Sequence, residues 1–323
     1  MIYITGATGF IGERLTRRLR ERGESVRCLV RSPARGEKLE GLGAELLTGD
    51  VADERVHVQG LRGARLAYHL AAIYDIGVVD RRALERTNID GTRAFLSALE
   101  KSQTERAVYV SSTVALGPTP PAEREPRDAY PGPYPSQYHR TKAEAHRLAR
   151  DAQQRGLPLI IICPSLVYGP GDHGPGGRFL RDLLKHRVPG LLTRPARLSY
   201  VYVDDVVEGL LAAGARGRNG EVYLLTGEGA SVNEFAQRAT ALAHTRPPPL
   251  RFPTAAALAT GALLDAIARP SGLRFPLSRE MVATAINDDW LHTHERATRD
   301  LGYTPRTLEQ GLPATVAAFQ QSS

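Results

Sequence analysis

A tyrosine and a lysine stand four residues apart in the segment Tyr138-His-Arg-Thr-Lys142. Residues with this spacing lie on one face of a helix, so the two side chains can interact if the segment is helical. An ammonium beside a phenol stabilises the phenolate and lowers its pKa, which makes a tyrosine usable for proton transfer near neutral pH. The spacing therefore predicts an acid–base pair, and a solvated helix with a stray tyrosine is the alternative.

A hydroxyl-rich segment, Ser111-Ser112-Thr113, follows an apolar run that ends at Val110. Open α/β sheets bind their ligands at the carboxyl ends of their strands. If residues 107–110 form such a strand, one of these hydroxyls is presented at the ligand-binding edge. The residues alone leave Ser111, Ser112 and Thr113 as alternatives for that hydroxyl.

The segment Thr5-Gly-Ala-Thr-Gly-Phe-Ile-Gly12 joins an apolar run at residues 2–4 to Leu15 and Leu19 at helical spacing. Such a strand–turn–helix unit binds a dinucleotide pyrophosphate, because backbone N–H groups at the helix start face the anion. Its glycines permit a tight turn, close approach of the pyrophosphate, and close packing of helix on strand. We expect cofactor contacts from Gly6, Thr8, Gly9, Phe10, Ile11 and Gly12.

The residues after the second and third predicted strands bear on which dinucleotide binds. An arginine at the end of the second strand favours the 2′-phosphate of NADP, whereas a carboxylate favours NAD. Arg31 has that position, with Ser32 and Arg35 beside it, so NADP(H) is favoured. NAD(H) remains the alternative because arginine is common throughout the chain. Asp50 is predicted either to accept from the adenine amino group or to be a loop aspartate.

The elements that position these groups alternate between short apolar runs and helical patterns. The predicted strands lie at residues 25–30, 44–47, 66–70, 107–110, 159–162 and 222–225. This alternation predicts an α/β fold with a Rossmann-type, doubly wound parallel sheet. We expect residues 1–168 to form the dinucleotide-binding domain, to which 198–228 return. Residues 169–197 and 229–323 are expected to form a smaller, mainly helical substrate-binding lobe.

The composition, 42% hydrophobic and 24% charged over 323 residues, is that of a globular chain. A formal charge of +7 suggests nucleic acid, but the positive residues are scattered without a basic block, so we expect no nucleic-acid partner. The apolar segment 255–268 is shorter than the ~20 residues of a membrane span and contains Asp265.

Cys28 and Cys163 are expected to be buried thiols, and we expect no metal site. Because no charged-then-apolar leader precedes the glycine-rich turn, we expect a cytoplasmic protein.

With these elements in this order, the chain resembles the extended short-chain dehydrogenase/reductase family. That family includes nucleotide-sugar epimerases, dihydroflavonol reductases and 3β-hydroxysteroid dehydrogenases. The resemblance covers nearly the whole chain, and its further carriers are His69-Leu-Ala-Ala72, Asn88-Ile-Asp-Gly-Thr92, residues 164–172 and Tyr202-Val-Asp-Asp205.

The resemblance implies a role for each member of the site. Tyr138 is the proton donor and acceptor, Lys142 binds the nicotinamide ribose and tunes Tyr138, and Ser112 hydrogen-bonds the reacting oxygen. It also implies cofactor contacts at Val51, Leu70, Ala71, Ala72 and Pro164. Structural rather than chemical roles are expected for His69, Asn88, His139, Tyr202, Asp204 and Asp205, the two aspartates being expected to cap and pack a helix.

The chain departs from the sugar-modifying members at several positions. Leu166 stands where they usually carry asparagine, and Leu198 where an arginine is expected, although Arg197 is adjacent. Their Arg-Pro-Gly-Asp segment is replaced by residues 287–293. The segment 255–268, with Leu273, Phe275 and Leu277, is expected either to line an apolar pocket or to form the core of the lobe. The resemblance is therefore closest to the dihydroflavonol reductase and hydroxysteroid dehydrogenase branch.

These observations predict an NADP(H)-dependent oxidoreductase that acts on a carbonyl or secondary alcohol of a small apolar substrate. The first alternative is an epimerase or dehydratase that retains its cofactor and acts on a sugar-like substrate. The second is a non-catalytic protein that senses NAD(P). A homodimer is expected through residues 84–101 and 137–155, which contain Phe95, Leu96, Leu99 and Leu148.

Overall fold

The centre of the computed structural model is a seven-stranded parallel sheet. The structure describes residues 1–77, 80–119, 126–271, 275, 277–286 and 288–321. Its strands are β1 Ile2–Thr5, β2 Val26–Val30, β3 Glu45–Thr48, β4 Leu66–His69, β5 Arg106–Val110, β6 Leu159–Pro164, β7 Leu166–Tyr168, β8 Gly190–Leu192, β9 Arg197–Tyr202, β10 Val222–Leu225, β11 Glu228–Ser231 and β12 Leu250–Phe252. The strand order β10-β6-β5-β4-β1-β2-β3 confirms the predicted Rossmann-type fold, and all six pairings are parallel.

Helices cover both faces of this sheet. They are α1 Phe10–Glu21, α2 Pro33–Gly41, α3 Glu54–Leu61, α4 Arg81–Glu85, α5 Gly91–Glu100, α6 Gln137–Gln154, α7 Pro175–Leu184, α8 Val203–Arg216, α9 Val232–Leu242, α10 Thr254–Ser271, α11 Arg279–Thr284, α12 Glu295–Leu301 and α13 Leu308–Gln321, with a π-helical turn at Arg86–Asp90 and a 3₁₀ turn at Thr113–Ala115. The apolar stripes of α1, α8 and α12 pack on one face and those of α3, α5 and α6 on the other. Because both faces are covered, the strands are apolar throughout, as in β6, where every residue is buried.

The predicted strands agree with the observed ones to within two residues at each end. Cys28 and Cys163 are buried free thiols, one in each core layer, and burial raises the pKa of both to about 12. No cluster of potential metal ligands occurs among the described residues. No helix in these parts of the chain is long and apolar enough to cross a membrane.

Two small sheets next to the main one were not predicted. In the first, β9 pairs in parallel with β7 and antiparallel with β11, and in the second β8 pairs with β12. A third core, under α7, α9 and α13, lies against the first of these sheets. The strands are three to six residues long, so they carry too few alternations to be recognised from sequence.

The apolar segment 255–268 is part of α10. One side of this helix packs Ala257 against Val282 and Ile286, which makes it part of a small core, as one of the two alternatives expected. Its opposite side is open to solvent, with Leu263 63% exposed and Ile267 44% exposed. Leu273 lies outside the described residues.

Candidate active site

The glycine-rich turn connects β1 to the first residue of α1. Gly6 has a φ of +71°, and a Cβ there would lie 2.7 Å from the backbone of residues 70 and 71. At Gly12 a Cβ would collide with the backbone of Gly6 and Ala7. At Gly9, in contrast, a Cβ would meet only the carbonyl oxygen of Gly6, at 3.2 Å. Because the protein leaves the space at Gly9 largely open at the start of α1, the turn fits a bound pyrophosphate.

Tyr138 and Lys142 lie on the first turns of α6, which begins after Ser136. The Ser136 hydroxyl accepts a hydrogen bond from the N–H of His139 and so fixes the start of this helix. Both predicted side chains are buried, Tyr138 at 8% and Lys142 at 3% exposure. The Lys142 ammonium donates to the carbonyl oxygen of Val110 at 3.0 Å, which ties α6 to the end of β5.

The expected lowering of the pKa of the Tyr138 phenol is not found in the structure. Burial raises the pKa of Tyr138 to about 12, and interaction with the Ser112 hydroxyl only partly opposes that rise. Burial also lowers the pKa of Lys142 to about 8. Sequence spacing placed the two groups on one helix face but carried no information on burial, and desolvation is the largest cause for both.

Ser112 directly precedes the 3₁₀ turn after β5. Its hydroxyl donates to the Pro164 carbonyl oxygen and accepts from the N–H of Val114, both at the long distance of 3.4 Å. The neighbouring Ser111 hydroxyl is engaged at 2.8 Å by Nδ1 of His146. Of the two serine hydroxyls, that of Ser112 has only long hydrogen bonds, and it lies beside Tyr138.

These residues surround one cavity of about 300 Å³ at the carboxyl ends of the central strands. Eleven of the predicted site residues line this cavity: Gly6, Gly9, Phe10, Ile11, Gly12, Leu70, Ala72, Ser112, Tyr138, Lys142 and Pro164. Thr8, Ala71 and the predicted adenosine-side residues Arg31, Ser32, Arg35, Asp50 and Val51 are not among the residues that line it. The apolar side chains of Leu166, Leu198 and Trp290 also line it.

Residues 2–226 match the NAD dependent epimerase/dehydratase family. The chain belongs to this family. It is 31% identical to sterol demethylase protein B of Methylococcus capsulatus over 98% of either chain. It is also 31% identical to the 4-hydroxy-2-methyl-3-oxo-4-farnesyl-3,4-dihydroquinoline-1-oxide ketoreductase of Stigmatella aurantiaca, over 97% of this chain and 94% of that protein.

Among solved structures, gox2253 superposes on this family member with a TM-score of 0.82 and 29% identity, over 100% of this chain and 98% of the other. The family and its named relatives make the chain an NAD(P)-dependent enzyme of the extended short-chain dehydrogenase/reductase type. The resemblance seen in the sequence is thereby confirmed.

In this epimerase/dehydratase family member, the predicted adenosine side lies at the ends of β2 and β3. Arg31 is exposed, and no hydrogen bond or ion pair of its side chain occurs within the described ranges. Asp50 accepts from the N–H of Ala52 at 2.8 Å and from the Arg86 guanidinium at 2.9 Å. These contacts, together with the charge of Arg31, hold the pKa of Asp50 below its ordinary value. Both oxygens of Asp50 are thus engaged within the protein, as expected of a loop aspartate.

Several wall residues were not predicted. Tyr74, in the loop after β4, places its ring 4.8 Å from that of Tyr138. Trp290 is held against β9, since its N–H donates to Arg197 and its carbonyl accepts from Ser199. Ile76, Asp172 and Thr284 complete this side. The one sequence feature that could have pointed to Trp290 as a site residue is that it is the only tryptophan of the chain.

Residues with predicted structural roles are buried or paired. The ring of His69 bonds Thr5 at 2.8 Å, and the amide of Asn88 bonds both backbone groups of Ile73. The ring of His139 bonds Ser136 at 2.7 Å, and burial lowers its pKa to about 4.

The predicted capping role of two aspartates is wrong, because α8 begins after Tyr202 without a side-chain cap. Asp205 instead pairs with Arg306 at 2.9 Å, and Asp204 with Arg14 at 3.3 Å. Arg14 also donates to the carbonyl oxygens of Phe10 and, at 2.5 Å, Pro170. This guanidinium joins the helix of the glycine-rich turn to the segment after β7.

Proposed function

We propose that the chain is an NADP(H)-dependent ketoreductase that acts on a carbonyl or secondary alcohol of a small apolar substrate. The observation that carries the proposal is the position of the Tyr138 hydroxyl. It lies beside Ser112 in a cavity that is lined both by the glycine-rich turn and by the apolar residues Leu166, Leu198 and Trp290. A ligand site that is apolar except for a few polar groups suits a substrate of the same character.

The roles follow from chemistry and burial. When bound, the reduced cofactor supplies the hydride that the carbonyl carbon receives. Ser112 donates a hydrogen bond to the carbonyl oxygen, and Tyr138 transfers its hydroxyl proton to that oxygen, which yields the alcohol. Lys142 lines the same cavity, and we assign to it the binding of the nicotinamide ribose and the stabilisation of the phenolate left after transfer.

The remaining predicted contacts belong to cofactor binding in this proposal. The start of α1 with Gly6, Gly9 and Gly12 holds the pyrophosphate, and Arg31 with Ser32 and Arg35 holds the 2′-phosphate. The exposure of Arg31 directly after β2 supports this assignment. Residues 1–168 with 198–228 would serve the cofactor, and the rest would serve the substrate.

The leucines at 166 and 198 favour the ketoreductase over an epimerase or dehydratase for a nucleotide sugar. They present hydrocarbon to the cavity where sugar enzymes present an amide and a guanidinium. The relative whose name describes a ketoreductase supports the same choice.

The decisive experiment compares Tyr138→Phe with Tyr134→Phe. Tyr134 is a matched control because its hydroxyl donates to the carbonyl of Tyr130 and it does not line the cavity. With NADPH and apolar ketones, we expect Tyr138→Phe to lower kcat by roughly 10²–10⁴-fold, the range of general acid catalysis, while NADPH affinity persists. Equal activity of the two variants would remove Tyr138 from the mechanism.

Cofactor consumption separates the alternatives. A ketoreductase consumes one NADPH for each alcohol formed, an epimerase or dehydratase returns the hydride and consumes none, and a sensor binds the cofactor without turnover.

A homodimer through residues 84–101 and 137–155, which include α5 and α6, also remains our proposal. Phe95, Leu96 and Leu99 are buried in the chain's own core, so the exposed surface of these helices is mainly charged. A polar interface is therefore expected, and sedimentation at low and high salt tests it.

A further inference from the structure

A second cavity, of about 400 Å³, lies beside the catalytic one, between α7 and the helices α10 and α11. Ile76 lines both cavities. On the other side of the boundary, Gly174 lines the catalytic cavity and the adjacent Pro175 lines the second. The two spaces are thus neighbours that share the side chain of Ile76 as a partition.

The charged groups around the second cavity have partners within the protein. Arg178 pairs with Asp75 at 2.6 Å, and Arg187 lies 3.9 Å from Asp182. The carboxylate of Asp265 accepts from the backbone N–H of Arg279 at 3.1 Å. Because each arginine of the lining lies near an aspartate, the cavity does not require an anionic ligand.

The rest of the lining is mainly hydrocarbon. Phe179 from α7 and Met281 from α11 contribute, as do Val188 and Leu277 from the loops beside them. The hydroxyl of Ser278, also in the lining, accepts from the N–H of Met281 and so serves as a helix cap. An uncharged apolar chain is the ligand that these surfaces bind favourably.

We propose that the two cavities form one track for an elongated substrate. Its carbonyl lies at Tyr138, and its hydrocarbon chain passes Ile76 into the second cavity. This inference rests on the proposed ketoreductase function and narrows its substrate class to ketones with a long, uncharged apolar chain. The catalytic cavity, at about 300 Å³, also borders the glycine-rich turn of the cofactor site, so a long chain needs the second space.

The test is a chain-length series with matched tryptophan variants. The ketones are 2-pentanone, 2-heptanone, 2-nonanone and 2-undecanone, with NADPH as reductant. We expect kcat/KM to rise about fourfold for each methylene that enters the second cavity, which corresponds to ~0.8 kcal/mol per buried CH₂. Leu277→Trp fills the second cavity, whereas Leu263→Trp is the same change at a 63% exposed site.

In Leu277→Trp we expect the kcat/KM ratio of 2-undecanone to 2-pentanone to fall towards one, while Leu263→Trp keeps the wild-type ratio. Met281→Trp, which fills the same space from α11, gives the same result if Leu277→Trp fails to fold. A ratio that is flat in the wild type, or that neither filling variant changes, overturns the track but leaves the ketoreductase intact.

Calorimetric binding of 1-butanol and 1-octanol provides a readout that does not depend on turnover. Tighter binding of 1-octanol that is lost in Leu277→Trp, without reduction of any ketone, supports the track and refutes the ketoreductase. Equal affinities for the two alcohols, together with a flat ketone series, overturn the track.

Discussion

Replacing Lys142 by methionine is expected to stabilise the protein at pH 7 while it impairs the site. Lys142 is 3% exposed, and burial lowers its pKa from the ordinary 10.5 to about 8. At ~1.4 kcal/mol for each tenfold change in proton affinity, this corresponds to ~3 kcal/mol of unfolding free energy lost at pH 7. Methionine has a similar length and carries no charge.

The gain is partly offset at Val110, whose carbonyl oxygen loses its 3.0 Å hydrogen bond from the ammonium. An unsatisfied buried carbonyl costs about 1–3 kcal/mol, but Val110 lines the cavity, where water can replace the lost donor. A net gain of roughly 1–2 kcal/mol is expected in Lys142→Met.

The pH dependence gives this prediction a second signature. The unfolded chain binds the lysine proton up to pH 10.5 and the native state only to about pH 8, so wild-type stability rises with pH between these values. The advantage of Lys142→Met is therefore expected to shrink by ~2 kcal/mol between pH 7 and pH 9.5.

Urea unfolding without cofactor at both pH values measures the effect. Lys101→Met is the control, since Lys101 is 63% exposed and its ion pair with Glu54 contributes little. A Lys142→Met protein that is less stable than the wild type at pH 7 would refute the argument that burial penalises the ammonium.

Three further predictions follow from other parts of the chain. Gly6→Ala is expected to abolish dinucleotide binding and to lower the unfolding free energy by more than the ~1–2 kcal/mol that a left-handed alanine costs. Gly23→Ala, at a φ of +76° with no atom within 4 Å, is expected to cost only that amount. Equal urea midpoints for the two variants would contradict this prediction. Arg31→Ala is expected to raise the Kd of NADPH about 10–100-fold, which corresponds to the loss of a charged hydrogen bond, without changing the Kd of NADH. Arg62→Ala is the control in the same fluorescence titration, because Arg62 lies at the amino ends of the strands, shortly before β4. Burial lowers the pKa of His139, His146 and His292 to about 4. As the pH drops from 6.5 towards 4, the unfolded chain therefore takes up protons before the native state does, and the unfolding free energy falls by on the order of 1–2 kcal/mol per histidine at pH 5. A urea midpoint that does not change between pH 7 and pH 5 would contradict this prediction.

The fold and the part of the cavity lined by the glycine-rich turn, Tyr138 and Lys142 were predictable because their signals are local. The turn from Thr5 to Gly12 and the pair Tyr138 and Lys142 each lie within eight consecutive residues, and parallel strands bring their carboxyl ends to one edge. The bounds of the central strands follow from runs of apolar residues in the same way.

The rest of the cavity wall was not predictable because it is assembled from distant segments. Trp290 reaches the cavity only because its backbone pairs with β9, about ninety residues earlier in the chain. The contact of Tyr74 with Tyr138 depends on the course of the loop after β4, which Asn88 fixes through Ile73. The pKa of Tyr138 depends on desolvation, which is a property of the packed core and not of helix spacing.

The three contacts of Arg14 restrict how the cavity can open. Its guanidinium holds the first turn of α1, the backbone of Pro170 and the carboxylate of Asp204 at the same time. A hinge that swung the segment after β7 away from the glycine-rich turn would have to break the contact of Arg14 with Pro170, while its contact with Asp204 ties α1 to α8. Substrate and product are therefore expected to exchange through movement of the surface loops, while the segments joined by Arg14 remain one rigid frame.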